Sequence, residues 1–311
     1  MEHLSRRDFL KLLQGIGISG LVWPWMARAD LEQSAIITRT IPKSGETIPV
    51  IGMGSWLTFA VGDDAQARQQ RTEVLRAFFA QGGGMIDSSP MYGTSEAVIG
   101  HGLQQLAYPS GLFAATKVWT SGWQAGMRQM KRSQHLWGVK KFDLMQIHNL
   151  LDYETHLATL KHWKAEGRIR YIGITTSHGR RHDDMIRIMK TEPAIDFVQF
   201  TYNIEDREAE QYLLPIAKER QLAVIINRPF QRAGLFDAVE GKPLPAWSKE
   251  LGIRNWAQFF LKFIISHPAV TVAIPATSRV DHMLENMGAM QGPLPDEKMR
   301  QRMIGYYNSI V

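Results

Sequence analysis

Eight short β-prone runs, each followed by a segment of helical pattern, recur along this chain, and that alternation restricts the fold more than any other feature. Counted from Pro49, the strands fall at 49–53, 85–89, 112–118, 143–148, 170–175, 196–202, 222–227 and 270–274. Helical segments fall at 65–81, 95–106, 123–137, 153–166, 183–190, 207–220, 256–266 and 279–287. Strict alternation demands a parallel sheet covered by helices. Eight units over about 260 residues match a closed (β/α)8 TIM barrel, typically about 250 residues. A doubly wound open sheet would announce itself with a glycine-rich phosphate turn after its first strand. Gly52-Met53-Gly54-Ser55-Trp56 carries only the first two glycines of such a turn. Ahead of the barrel, β-prone runs flank Pro42-Lys43-Ser44-Gly45, which predicts an N-terminal β-hairpin.

Residues 1–29 follow a different logic. Ser5-Arg6-Arg7-Asp8-Phe9-Leu10-Lys11 precedes a moderately apolar, glycine-containing stretch, and Ala27-Arg28-Ala29 has the small residues that signal peptidase sites prefer. The layout resembles a twin-arginine (Tat) signal peptide cleaved after Ala29, with residues 30–311 forming one domain. The resemblance implies a twin-arginine translocase as export partner and a periplasmic destination, reached already folded; a cytoplasmic protein is the alternative. No later stretch is apolar enough to span or anchor in a membrane. Of the formal charge of +6, the leader's four basic and two acidic residues hold +2. The rest is spread thinly, without the basic stripe of a nucleic-acid partner. With no cysteine, disulfides and thiol catalysis are excluded.

In a barrel, chemistry gathers where strands end. Asp87 closes the second strand, Tyr92 follows in its loop, Lys117 ends the third and His148 closes the fourth. One βα unit separates Asp87 from Lys117 and Lys117 from His148, so neighbouring strands aim the set at one mouth. A phenol holds its proton at neutral pH. An ammonium beside it lowers its pKa and makes it a better donor. Asp87 would fix Lys117, and His148 would polarise a carbonyl oxygen. Reducing a carbonyl needs a proton for the developing alkoxide and a hydride for carbon. No side chain supplies a hydride, so a cofactor must.

Met85-Ile86-Asp87-Ser88-Ser89-Pro90-Met91-Tyr92-Gly93 resembles the aldo-keto reductase signature. Ala115-Thr116-Lys117-Val118-Trp119 resembles the family's lysine strand, and Asp143-Leu144-Met145-Gln146-Ile147-His148 its histidine strand. The resemblance runs from about residue 48 to 287. It implies an NAD(P)H-dependent oxidoreductase acting between aldehydes or ketones and alcohols, with Tyr92 as general acid. NADP is the favoured cofactor and NAD the alternative. Ser55 and Gln199 are carried over as cofactor-facing. Thr175-Thr176 stands where the family usually has Ser-Asn, and Asn227-Arg228 where many members have Tyr-Ser. Asn227 cannot stack on a nicotinamide; a strand-end hydrogen bond is its other reading. Thr277, Ser278, Arg279, Glu285 and Asn286 match the segment holding the adenosine half, with Arg279 offered to a ribose 2′-phosphate. Trp56 and Trp119 are candidate walls for the substrate.

Two other readings compete with catalysis of reduction: a cofactor-binding barrel acting as sensor or subunit, and a metal-dependent hydrolase. No partner histidines stand at strand-end spacing beside His148, which speaks against a metal. Export would separate the enzyme from the cytoplasmic cofactor supply. A cofactor loaded before export, kept bound and recycled by a second substrate is the expected solution.

Overall fold

The computed structural model describes residues 36–311, so the signal reading falls outside the described residues. A hairpin of β1 (Thr38–Thr40) and β2 (Thr47–Pro49) pairs antiparallel. The barrel strands follow as β3 (Met53–Gly54), β4 (Met85–Asp87), β5 (Phe113–Val118), β6 (Phe142–Ile147), β7 (Ile169–Thr175), β8 (Phe197–Thr201), β9 (Ala223–Asn227) and β10 (Val272–Ala273). All neighbours in this sheet are parallel and sequential. Bridges Ile51↔Ala273 and Gly54↔Ala276 join the first strand to the last and close the (β/α)8 barrel. The two glycines of the incomplete phosphate turn serve this closure. A Cβ at Gly52 would sit 2.9 Å from the Met85 carbonyl oxygen, and one at Gly54 2.8 Å from that of Ile274.

Helices α1 (Ala65–Ala80), α2 (Ser95–Gln105), α3 (Trp123–Trp137), α4 (Tyr153–Ala165) and α5 (His182–Thr191) match their expected spans within two residues. The first is capped by Asp64, whose side chain accepts from Ala67 N at 2.8 Å. The helix expected over 207–220 is shorter: a 3-10 turn at Glu208–Glu210, then α6 (Leu213–Glu219). Pro215 explains the break, because a proline deep inside a helix loses a hydrogen bond and clashes with the preceding turn. Starting at Leu213 puts it in the first turn, where no backbone donor is missed. The remaining helices are α7 (Gly234–Ala238), α8 (Trp256–Ile265), α9 (Val280–Gly288) and α10 (Glu297–Ile310). The last was not expected from the sequence. Asp296 caps it, and Met303, Tyr307 and Arg300 are its buried face.

Inside the barrel, period-two alternation separates a floor from a mouth. Met85, Phe113, Ala115, Leu144, Tyr171 and Phe197 form an apolar cluster with Ile41 and Ile48 of the hairpin, which closes the bottom. Further along the same strands, the buried side chains become Asp87, Lys117, Gln146 and Gln199. Gly173 makes room for this layer, since a Cβ there would lie 2.7 Å from Gln146 Cγ. The strand ends are therefore polar, buried and rigidly held.

Candidate active site

A cavity of about 580 Å³ opens over these strand ends. Of the residues singled out in the sequence, Ser55, Trp56, Asp87, Tyr92, His148, Thr175, Thr176, Gln199, Asn227 and Arg228 line it. Lys117 lies just beneath, fully buried, its Nζ paired with Asp87 Oδ2 and donating to the Ser88 carbonyl at 2.8 Å. Asp87 is held from the other side by Gln146 Nε2 at 2.7 Å and Gln199 Nε2 at 3.2 Å. The Lys117 ammonium stands 5.2 Å from the centroid of the Tyr92 ring and acts on its hydroxyl by charge. His148 meets the Tyr92 ring edge-on at 5.8 Å. The four residues expected to converge do so.

Their electrostatics differ from expectation at one point. Burial raises the Tyr92 pKa above its ordinary value, and Asp87 adds to the rise; Lys117 opposes both without cancelling them. Proximity of the ammonium was read correctly, but desolvation of a phenolate outweighs it. Tyr92 is therefore a protonated acid throughout the neutral range. Burial also works against the Lys117 ammonium, yet Asp87 and Tyr92 together hold its pKa above the ordinary value. His148 is drawn down to about 3 by burial and by the Lys117 charge, so it is a neutral imidazole.

The other singled-out residues are divided between the cavity wall and its surroundings. Thr175 Oγ1 accepts from Asn149 N at 3.1 Å and so braces the loop after His148. Thr176 offers its carbonyl to Asn227 Nδ2 at 2.9 Å, while Asn227 Oδ1 accepts from Thr201 at 2.8 Å. Asn227 is thus a strand-end hydrogen bonder at the cavity wall. Trp119 is exposed beside the site, with its ring 6.5 Å from that of His148. Thr277, Ser278, Arg279, Glu285 and Asn286 do not line the cavity. Arg279 instead closes its fork on Asp281, two residues away at the start of α9, with Nε donating to Oδ1 at 3.0 Å. Thr277 Oγ1 accepts from Arg279 N at 3.1 Å, and Asn286 is buried within α9.

Of a cationic rim, sequence reasoning found only Arg228. Arg180, Arg181, Arg228 and Arg232 line the cavity beside His178, whose pKa is held below its ordinary value by burial and by the arginines, whereas the single carboxylate lining it among the described residues, Asp87, is committed to Lys117. Arg232 lies over the Trp56 ring, 4.5 Å from its centroid. The loops carrying this rim are strained. Six of the twelve non-glycine residues with positive φ among the described residues line the cavity: Leu57, Asn149, His178, Arg181, Arg228 and Arg232. Such backbone concentrates at functional sites. Gln146 was also missed, although it faces inward two residues before His148 and period two would have found it.

A family model, the Aldo/keto reductase family, matches residues 50–302. The chain belongs to that family. Among curated relatives, a methylglyoxal reductase of Escherichia coli is 26% identical over 84% of this chain and 92% of its own length. A glyoxal reductase of Bacillus subtilis is 23% identical over 82% and 88%. An aldo/keto reductase of Klebsiella pneumoniae, solved with NADP and acetate, superposes with a TM-score of 0.71 at 25% identity, covering 86% of this chain and 94% of that one.

Proposed function

We propose that this aldo-keto reductase reduces small aldehydes and ketones with NADPH, Tyr92 delivering the proton. The observation that carries this reading is the buried Lys117–Asp87 pair beneath a half-buried Tyr92, opening beside a neutral His148. The cavity suits a nicotinamide dinucleotide: neutral amides and hydroxyls at Gln199, Thr176 and Asn227 match the carboxamide end, and the arginines of the rim match phosphates. Gln199, Thr176, Asn227, Arg228 and Arg232 would hold it; when bound, it supplies the hydride that no side chain can. Ser55, braced on Ser88 Oγ at 2.8 Å, lies at the same wall.

The chain's own residues do the rest. His148 donates a hydrogen bond to the carbonyl oxygen and orients it towards Tyr92. Tyr92 gives its proton as charge builds on that oxygen, and the Lys117 ammonium stabilises the phenolate left behind. Asp87 keeps the ammonium charged and fixed, so the site needs little reorganisation during transfer. With relatives that include reductases of methylglyoxal and glyoxal, short carbonyls and ketoaldehydes are the class to try first. Titration with NADPH and NADH, followed by turnover of methylglyoxal and simple aldehydes, tests the reading. Saturable NADPH binding with no turnover of any carbonyl would favour a sensor or subunit.

For residues 1–29 we propose a twin-arginine signal, with the folded, cofactor-loaded enzyme delivered to the periplasm. Support comes from the residue layout alone. Mass analysis of the protein from its native compartment tests it: a chain beginning at Asp30 with cofactor still bound is expected, and an intact N-terminus in the cytoplasm refutes it.

A further inference from the structure

The turn that carries Tyr92 and the imidazole beside it share one residue, Ser89. Its carbonyl accepts from Tyr92 N at 2.9 Å, and its Oγ accepts from Met91 N at 3.2 Å. That Oγ also lies 2.9 Å from His148 Nδ1. Ser89 is fully buried, so every proton and lone pair of its hydroxyl must be accounted for.

A hydroxyl has one proton and two lone pairs. One lone pair takes the Met91 N–H. Among the described residues, the only acceptor in reach of the Ser89 proton is His148 Nδ1. If Nδ1 carried the imidazole proton instead, the hydroxyl would accept twice and its own proton would be stranded in the core, at a cost of about 1–3 kcal/mol. His148 is not doubly protonated either, because its pKa lies near 3. Nδ1 is therefore the acceptor and Nε2 carries the hydrogen. The one side-chain hydrogen bond of His148 among the described residues is made by Nδ1, and His148 lines the cavity, which leaves Nε2 for a ligand.

We propose that Ser89 is a positioning residue that holds His148 in the Nε2–H form and aims that donor at the substrate's carbonyl oxygen, on the same turn that sets Tyr92. The role rests on the reductase reading of the site, but the tautomer itself does not. A merely structural Ser89 would leave the imidazole tautomer indifferent to its hydroxyl.

Long-range proton–nitrogen spectra of the full chain, ¹⁵N-labelled at histidine, give the test, with His148→Gln assigning the signal. In the wild type, the His148 pattern of a protonated Nε2 and an unprotonated Nδ1 is expected. In Ser89→Ala, that pattern should give way to a mixture of both forms. kcat should fall about tenfold with NADPH affinity unchanged. Loss of the hydroxyl donor to Nδ1 should also raise the His148 pKa and move the acid limb of the rate profile to higher pH. A wild-type spectrum with Nδ1 protonated overturns the proposal even if Ser89→Ala does not fold. An unchanged His148 pattern in folded Ser89→Ala overturns it as well. If the spectra behave as expected but no carbonyl is turned over, the reductase reading fails while the tautomer assignment stands.

Discussion

Replacing Lys117 with methionine probes the buried charge pair on which the site is built. Both side chains are out of solvent, with relative exposures of 0% and 2%. Removing one partner of such a pair leaves an uncompensated charge and costs about 3–5 kcal/mol. Asp87 keeps two neutral donors, Gln146 Nε2 at 2.7 Å and Gln199 Nε2 at 3.2 Å, which places the loss near the lower end, about 3 kcal/mol. For a domain of this size, that lowers Tm by roughly 6–12 °C. Asp87→Asn should also destabilise, since the buried ammonium would lose its counter-charge and keep only neutral acceptors, the amide oxygen and the Ser88 carbonyl at 2.8 Å. The double variant Asp87→Asn/Lys117→Met should lose clearly less than the sum of the two, because no buried charge remains. Urea unfolding of the four proteins measures the cycle. A Lys117→Met loss below about 1 kcal/mol, or simple additivity, would refute the claim that these charges are desolvated and coupled.

Four further outcomes follow from other parts of the structure. With its pKa near 3, His148 stays neutral across the working range, so the kcat profile should show no break near pH 6.5; such a break that disappears in His148→Gln would contradict this. Because the unfolded chain binds the His148 proton below pH 6.5 and the folded chain does not, this contribution to stability is complete above pH 6.5. It is lost as pH falls towards 3, and His148→Gln should flatten that part of an acid-unfolding curve. Gly54→Ala forces a Cβ to 2.8 Å from the Ile274 carbonyl oxygen at the barrel seam, and thermal melts should register a loss of about 1–3 kcal/mol. Buried Glu96 accepts from Thr116 at 2.6 Å, Ser133 at 2.9 Å and Trp137 at 3.2 Å. Denaturant melts should show Glu96→Ala costing about 3 kcal/mol and Glu96→Gln much less, since the amide oxygen still accepts and the two hydroxyls can turn.

The barrel was legible because its signals are local. Strand and helix periods alternate eight times, and most boundaries fall within two residues of expectation. The tetrad was legible because one βα unit of spacing maps onto adjacent strand ends. Pro215 carried the information that shortened α6, and the Asp296 cap with Met303 and Tyr307 carried that for α10. What stayed hidden depends on three-dimensional surroundings. The net rise of the Tyr92 pKa comes from burial, which neighbours in sequence do not reveal. The cationic rim comes from loops far apart in the chain, at 178–181 and 228–232. Arg279 and Asp281 are close in sequence, yet only the backbone entering α9 turns them together.

The central claim is that the Tyr92 hydroxyl is the proton donor in carbonyl reduction. Single-turnover measurement of carbonyl reduction by Tyr92→Phe, beside NADPH affinity from fluorescence titration, tests it most directly. Affinity within about twofold of the parent, with the rate reduced by about 10²–10⁴, is the predicted result. A phenylalanine variant that reduces carbonyls within threefold of the parent rate would contradict it.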